Sequence, residues 1–158
     1  MSLDKNPFIN RPQFKHGAVP FDDIKLEHFI PALDYAIADA EKNLESIKNS
    51  TKSPTFDNTA LKMESGTELM GVVAQTYFNL MSAESDNKFK ELAQEISPKL
   101  SAFKNKVLLD SKLFSRVKTL YENRDKDGLT AEQKRLVEET YTDFTLNGAL
   151  LNDADKKK

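Results

Sequence analysis

Between Pro54 and Glu84 the chain reads PTFDNTALKMESGTELMGVVAQTYFNLMSAE, and this stretch limits the fold more than any other. Apolar residues recur at Phe56, Ala60, Met63, Met70, Val73, Tyr77 and Leu80, in steps of three or four with one longer gap, where Thr67 lies on the same face. Leu69, Val72, Thr76 and Leu80 add a second row. A stripe that wide at a period of 3.6 belongs to a helix with neighbours on more than one side. Gly66 and Gly71 lie within it, each less favourable than alanine by about 1 kcal/mol in a helix interior. Five residues apart, they point to different faces and allow two separate close approaches; two merely tolerated glycines are the plain alternative. The stretch reads as one central helix of an all-α domain.

The neighbouring segments supply helices to pack around it. After Leu26–Ile30, a short helical turn, Pro31 suits the first turn of a helix because its missing N–H is not needed there. Leu33, Ile37, Ala40, Leu44 and Ile47 then alternate steps of four and three to about Asn49. Ser85-Asp86-Asn87 offers a cap for a third helix marked by Phe89, Leu92, Ile96, Leu100, Phe103 and Val107, with Pro98 expected to kink it. Asp110 or Ser111 caps a fourth, with Leu113, Phe114, Val117, Leu120 and Tyr121 inward. Thr130 with Gln133 is a capping box opening a fifth helix that carries Leu136, Val137, Thr140, Tyr141 and Phe144, and Gly148 stops it. Residues 1–25 hold three prolines and no periodicity, which reads as an extended arm anchored by Phe8, Phe14 and Phe21. The expectation is therefore an all-α fold, an antiparallel bundle of about five helices in residues 26–158, preceded by an extended N-terminal arm in residues 1–25. Asn152-Asp153-Ala154-Asp155 reads as a helix start with no helix after it, the mark of a truncated chain.

At 158 residues, 39% apolar and 30% charged, the chain has the size and balance of one folded domain rather than a disordered segment. A net charge of −2 with both signs interspersed leaves no basic face for phosphates, so nucleic acid is not an expected partner. The chain has no cysteine, which excludes thiol nucleophiles and thiolate metal sites. No apolar run approaches the roughly 18 residues of a membrane span, so no membrane partner is expected. The first residues lack a secretory pattern. The expected compartment is the cytoplasm, or the periplasm if a native signal has been removed.

Candidate chemistry is sparse. His28 follows Glu27 but has no second histidine four residues away, so it reads as a helix-start or interface histidine rather than a metal ligand. Asn123, Asp125, Asp127 and Gly128 imitate the opening of a calcium loop, yet the twelfth position is Lys134 instead of a bidentate glutamate. That segment reads as a turn. No serine has a nearby His/Asp pair and no glycine-rich phosphate loop occurs. The reading assigns no catalytic, cofactor-binding or metal-ligating residue to this chain.

Several short motifs in order nevertheless resemble one family. Pro20-Phe21-Asp22-Asp23-Ile24-Lys25, Glu27-His28-Phe29 and Pro31-Ala32 resemble the N-terminal signature of the thimet-oligopeptidase-like zinc metallopeptidases. Pro54-Thr55-Phe56, Asn58-Thr59, Glu64-Ser65-Gly66 and Leu69 resemble the next block of its peptidyl-dipeptidase and oligopeptidase A branch. Phe78-Asn79-Leu80, Ser82-Ala83, Ser97-Pro98-Lys99-Leu100, Leu113-Phe114, Arg116-Val117, Gly148-Ala149 and Leu151 continue it collinearly. The resemblance implies a helical N-terminal part that forms one wall of a deep channel admitting short peptides. It implies a parent that hydrolyses peptides with zinc-activated water and releases C-terminal dipeptides. It places the zinc-binding HExxH helix in a missing C-terminal catalytic domain, which becomes the expected partner alongside short peptide substrates. On that reading this chain is inactive alone and exposes an apolar patch where the missing domain docks. The alternative is a stand-alone, non-catalytic helical interaction module with a closed polar surface.

Overall fold

The computed structural model describes residues 3–10, 19–84 and 86–151. Among them lie six α-helices and no strand: α1 (Phe29–Lys48), α2 (Ala60–Gly66), α3 (Glu68–Glu84), α4 (Asn87–Leu108), α5 (Ser111–Asn123) and α6 (Ala131–Leu146). Short 3₁₀ turns at Leu3–Lys5, Phe21–Asp23 and Leu26–His28 precede α1. The fold is all-α, as the periodicities require.

The helix count differs from the expected five because the central stretch is two helices. The chain leaves the helix after Gly66, and the Thr67 carbonyl accepts the Gly71 N–H at 3.0 Å to start α3 afresh. A Cβ on Gly66 would stand 3.1 Å from Asn43 Cβ, so α1 does approach closely there. Gly71 has nothing within 4 Å, so only one of the two expected approaches exists among the described residues. The longer gap between Met63 and Met70 was the trace of this break: two helices each carry their own repeat.

The chain divides into two compact units, each built from two separate segments. Unit one comprises Met1–Ala40 and Thr67–Leu100. Its core joins Phe8, Phe29, Ala32 and Leu33 to Val73, Tyr77, Phe89 and Ile96. The rings of Phe8 and Phe29 lie 5.2 Å apart, those of Phe29 and Tyr77 5.4 Å, the latter edge-on. Full burial of each such side chain stabilises by roughly 1.5–3 kcal/mol, and edge geometry adds to it. The buried Tyr77 hydroxyl donates to the Phe89 carbonyl, and burial pushes its phenol above the ordinary value. Asp86 caps α4 by accepting the Phe89 N–H at 2.9 Å, and α4 continues through Pro98.

Phe8 anchors the N-terminal segment as expected, whereas Phe14 lies outside the described residues. Phe21 corrects the expectation: it is 52% exposed. The Phe21–Asp23 turn, closed by Asp23 N–H to Pro20 O at 3.0 Å, leaves this ring in solvent, while Val19 and Ile24 pack on the core instead.

Unit two comprises Glu41–Gly66 and Ser101–Lys158. Leu113, Val117 and Leu120 of α5 are buried, as are Val137 and Phe144 of α6. The aromatic row between α5 and α6 includes Phe114 with Phe144 at 5.9 Å and Tyr121 stacked on Tyr141 at 4.0 Å. The caps follow the sequence. Asp110 accepts the Lys112 and Leu113 N–H groups, Thr130 and Gln133 form the reciprocal box, and Gly148 stops α6 with a φ of +92°.

Candidate functional site

The most tightly organised polar cluster centres on Arg116, in the middle of α5 and 8% exposed. Its place three residues after Leu113 and four before Leu120 puts it on the buried face of the helix. Nη1 donates to the carbonyls of Ser50 and Lys52, both at 3.1 Å. Nη2 donates to Asn58 Oδ1 at 2.9 Å and to Thr59 Oγ1 at 3.3 Å. Nε is buried with no acceptor among the described residues. A planar guanidinium can meet acceptors on several sides at once, which a lysine ammonium on the same stem cannot.

Asn58 is the other hub. Its Oδ1 also accepts the Thr55 N–H at 3.0 Å and the Thr59 hydroxyl at 2.8 Å, and its Nδ2 donates to the Ser53 carbonyl at 2.9 Å. Its N–H donates in turn to Thr55 Oγ1 at 3.2 Å, a reciprocal pair that shapes the entry to α2. Two of the short motifs, Asn58-Thr59 and Arg116-Val117, thus meet in one knot that fixes the loop before α2. That loop, with Asp127, Gly128, Leu129 and Gln133, lines an open cleft of about 550 Å³.

A second cluster ties α1 to the start of α5. Lys48 Nζ lies 2.6 Å from Glu45 Oε1 and 2.9 Å from Asp110 Oδ2. Burial raises the Asp110 carboxyl, but bonds from the Leu113 N–H, Lys48 and the Lys112 N–H outweigh that and leave it below the ordinary carboxylate value. The hydrogen bond from Lys48 likewise lowers Glu45. These groups hold the fold, and together with Leu44, Phe103 and Val107 they line a small pocket of about 50 Å³.

The sequence candidates fall into structural roles. His28 is buried, its Nδ1 accepts the Lys25 N–H at 3.0 Å, and its carbonyl accepts Asn6 Nδ2 at 2.8 Å. It therefore closes the turn that leads into α1. In the calcium-like segment, Asp125 pairs at 2.9 Å with Lys134, the residue at the twelfth position, and that contact lowers the Asp125 carboxyl. Arg124 stacks 4.1 Å over Tyr121 and pairs with Glu138 at 3.0 Å, and Gly128 turns with a φ of +64°. No group of three or more His, Cys, Asp or Glu among the described residues is placed to hold a metal ion. The described residues do not fit a zinc centre, and no step of a metal-assisted reaction is assigned to them.

The sequence reading missed Arg116 as a centre. A signal did exist, since an arginine at apolar spacing between Leu113 and Leu120 needs a partner for its charge. The surface also carries exposed apolar side chains: Leu146, Leu150 and Leu151 are 80%, 66% and 49% exposed. No helix among the described residues is long and apolar enough to cross a membrane.

Comparison with known proteins gives this architecture a context. Residues 33–156 match the sequence profile of the neurolysin/thimet oligopeptidase N-terminal domain. The chain is 31% identical over 156 residues to a dipeptidyl carboxypeptidase of Salmonella typhimurium, an alignment covering 99% of this chain and 23% of that protein. It is 32% identical over 153 residues to the dipeptidyl carboxypeptidase of Escherichia coli, covering 97% and 22% respectively. Oligopeptidase A of Haemophilus influenzae is 24% identical over 155 residues, covering 97% and 22%. The chain thus spans less than a quarter of the length of these relatives. With more than half of its residues matched, the chain belongs to the neurolysin/thimet oligopeptidase N-terminal domain family.

Proposed function

We propose that this chain serves as the N-terminal helical domain, residues 26–158 behind an arm of residues 1–25, of a longer zinc metallopeptidase. In that protein it forms one wall of the channel through which short peptides reach a zinc centre held elsewhere, and the reaction releases dipeptides from peptide C-termini. The observation that carries the reading is the alignment of nearly the whole chain with 22–23% of the length of two dipeptidyl carboxypeptidases. The knot around Arg116 supports it, because it employs the polar residues of two family motifs in shaping a wall rather than in chemistry. The exposed Leu146, Leu150 and Leu151 are in keeping with it, as apolar surface open to a neighbouring domain.

Two experiments test this. The pure 158-residue chain, incubated with zinc and short peptides, is expected to release nothing; zinc-dependent dipeptide release would overturn the assignment of catalysis to another part of the protein. Sequencing the source gene past Lys158 is expected to show a frame that continues into a His-Glu-x-x-His motif. A stop codon there would overturn the parent reading.

A further inference from the structure

Helix α3 carries apolar surface that the described residues of its own unit leave partly exposed. Val73 and Tyr77 are fully buried, and Leu69 and Leu80 pack beside them on the same face. Beside that face runs a second stripe, Met70, Gly71, Ala74, Phe78 and Met81, within an arc of about 100°. All five are half-buried, and none is charged or polar. Met70, Phe78 and Met81 pack against the core cluster and remain partly exposed.

Gly71 is the informative member. It is less favourable than alanine in a helix, it does not adopt a positive φ, and a Cβ on it would meet nothing within 4 Å. Nothing among the described residues makes use of its small size. A helix that crossed closely at this point would, since a glycine flanked by methionine and phenylalanine gives a groove into which another backbone can settle.

We infer that the Met70–Gly71–Ala74–Phe78–Met81 face of α3 is the seat of a helix from the polypeptide that follows this domain in the full-length protein. The inference rests on the reading of the chain as part of a longer one. The relatives carry more than three quarters of their length outside the aligned part, so apolar chain to fill the groove is at hand. A second copy fits less well. Four half-buried side chains and one glycine fall short of the roughly 1,200 Å² that a stable dimer buries, whereas a covalently joined helix docks at high effective concentration and needs less.

The chain has no cysteine, which makes a thiol a clean probe. Ala74→Cys, with Gln75→Cys on the exposed side as control, is labelled with a soluble maleimide in the 158-residue chain and in the full-length protein. Both thiols should react in the short chain, Ala74→Cys somewhat more slowly because its site is half-buried. In the full-length protein Ala74→Cys should react at least about tenfold more slowly while Gln75→Cys is unchanged. An Ala74→Cys rate in the full-length protein unchanged from the short chain would overturn the docking face and leave the parent reading intact. Concentration-dependent protection in the short chain would overturn it in favour of a second copy. A source gene that stops at Lys158 would sink both. As a second measurement, Gly71→Ala should raise the thermal midpoint of the short chain, and a fall would show that the glycine serves this chain alone.

Discussion

Replacing Arg116 by methionine tests whether the knot before α2 is a principal support of the second unit. The substitution keeps an unbranched stem and removes four hydrogen bonds. Thr59 is fully buried and its hydroxyl oxygen loses this donor, while Asn58 Oδ1 keeps the Thr55 N–H and the Thr59 hydroxyl but loses a bond from a charged group, at about 1.5 kcal/mol each. The Ser50 and Lys52 carbonyls lie in partly exposed residues and can turn to water, which limits their share to about 0.5 kcal/mol each. Against this, methionine relieves the cost of a buried charge and of the partnerless Nε, about 1–2 kcal/mol. The net expectation is a loss of about 2–3 kcal/mol, a drop in Tm of roughly 5–12 °C for a chain of this size. Arg116→Lys should recover half of it or less, because a point cation cannot reach both pairs of acceptors. Urea unfolding followed by circular dichroism gives the loss. Amide hydrogen exchange should show Thr55 and Asn58 freed before the α5 and α6 amides. A methionine variant within about 0.5 kcal/mol of the parent would refute the reasoning.

Other outcomes follow from the same geometry. Asp110 is lowered in the folded state, so its contribution is complete above its unfolded value near pH 3.9 and is lost as the pH falls through the lower folded value. Urea midpoints should therefore decline below about pH 4, and Asp110→Asn, which still caps α5, should decline less. Glu45 and Asp125, also lowered, keep a residual slope, and identical acid limbs in variant and parent would contradict the assignment. Tyr77→Phe should cost about 1–2 kcal/mol by leaving the Phe89 carbonyl without its buried donor; unchanged urea stability would show that bond to be immaterial.

What could be read from the sequence was whatever depends on near neighbours. Leu33, Ala40, Leu44 and Ile47 mark the buried face of α1 because a helix repeats its environment every three or four residues. Asp110, the Thr130–Gln133 pair and Gly148 announce helix ends through bonds that close within a turn. The break between α2 and α3 was hidden, because Thr67 fits the apolar face well enough to bridge two repeats. Phe21 misled for a related reason: a phenylalanine reads as an anchor, and a single 3₁₀ turn decides whether it faces inward. The Arg116 knot lay furthest from sight, since its acceptors stand 57 to 66 residues upstream and no local pattern joins them. His28 and Asp125 stood out by sequence spacing alone, and only the fold shows them committed to the turn before α1 and to the ion pair with Lys134.

The two compact units interleave along the chain, with crossings after residues 40, 66 and 100. Helices α1 and α4 each supply residues to both. No single cut can therefore separate the units, and deletion of either half of the chain removes part of each. During synthesis the first unit waits for its last helix until about residue 100 has emerged, by which time the opening portion of the second is already exposed and incomplete. Limited digestion should accordingly yield nicked but undivided material, and trimming this family to a smaller piece requires rejoining strands of polypeptide in a new order.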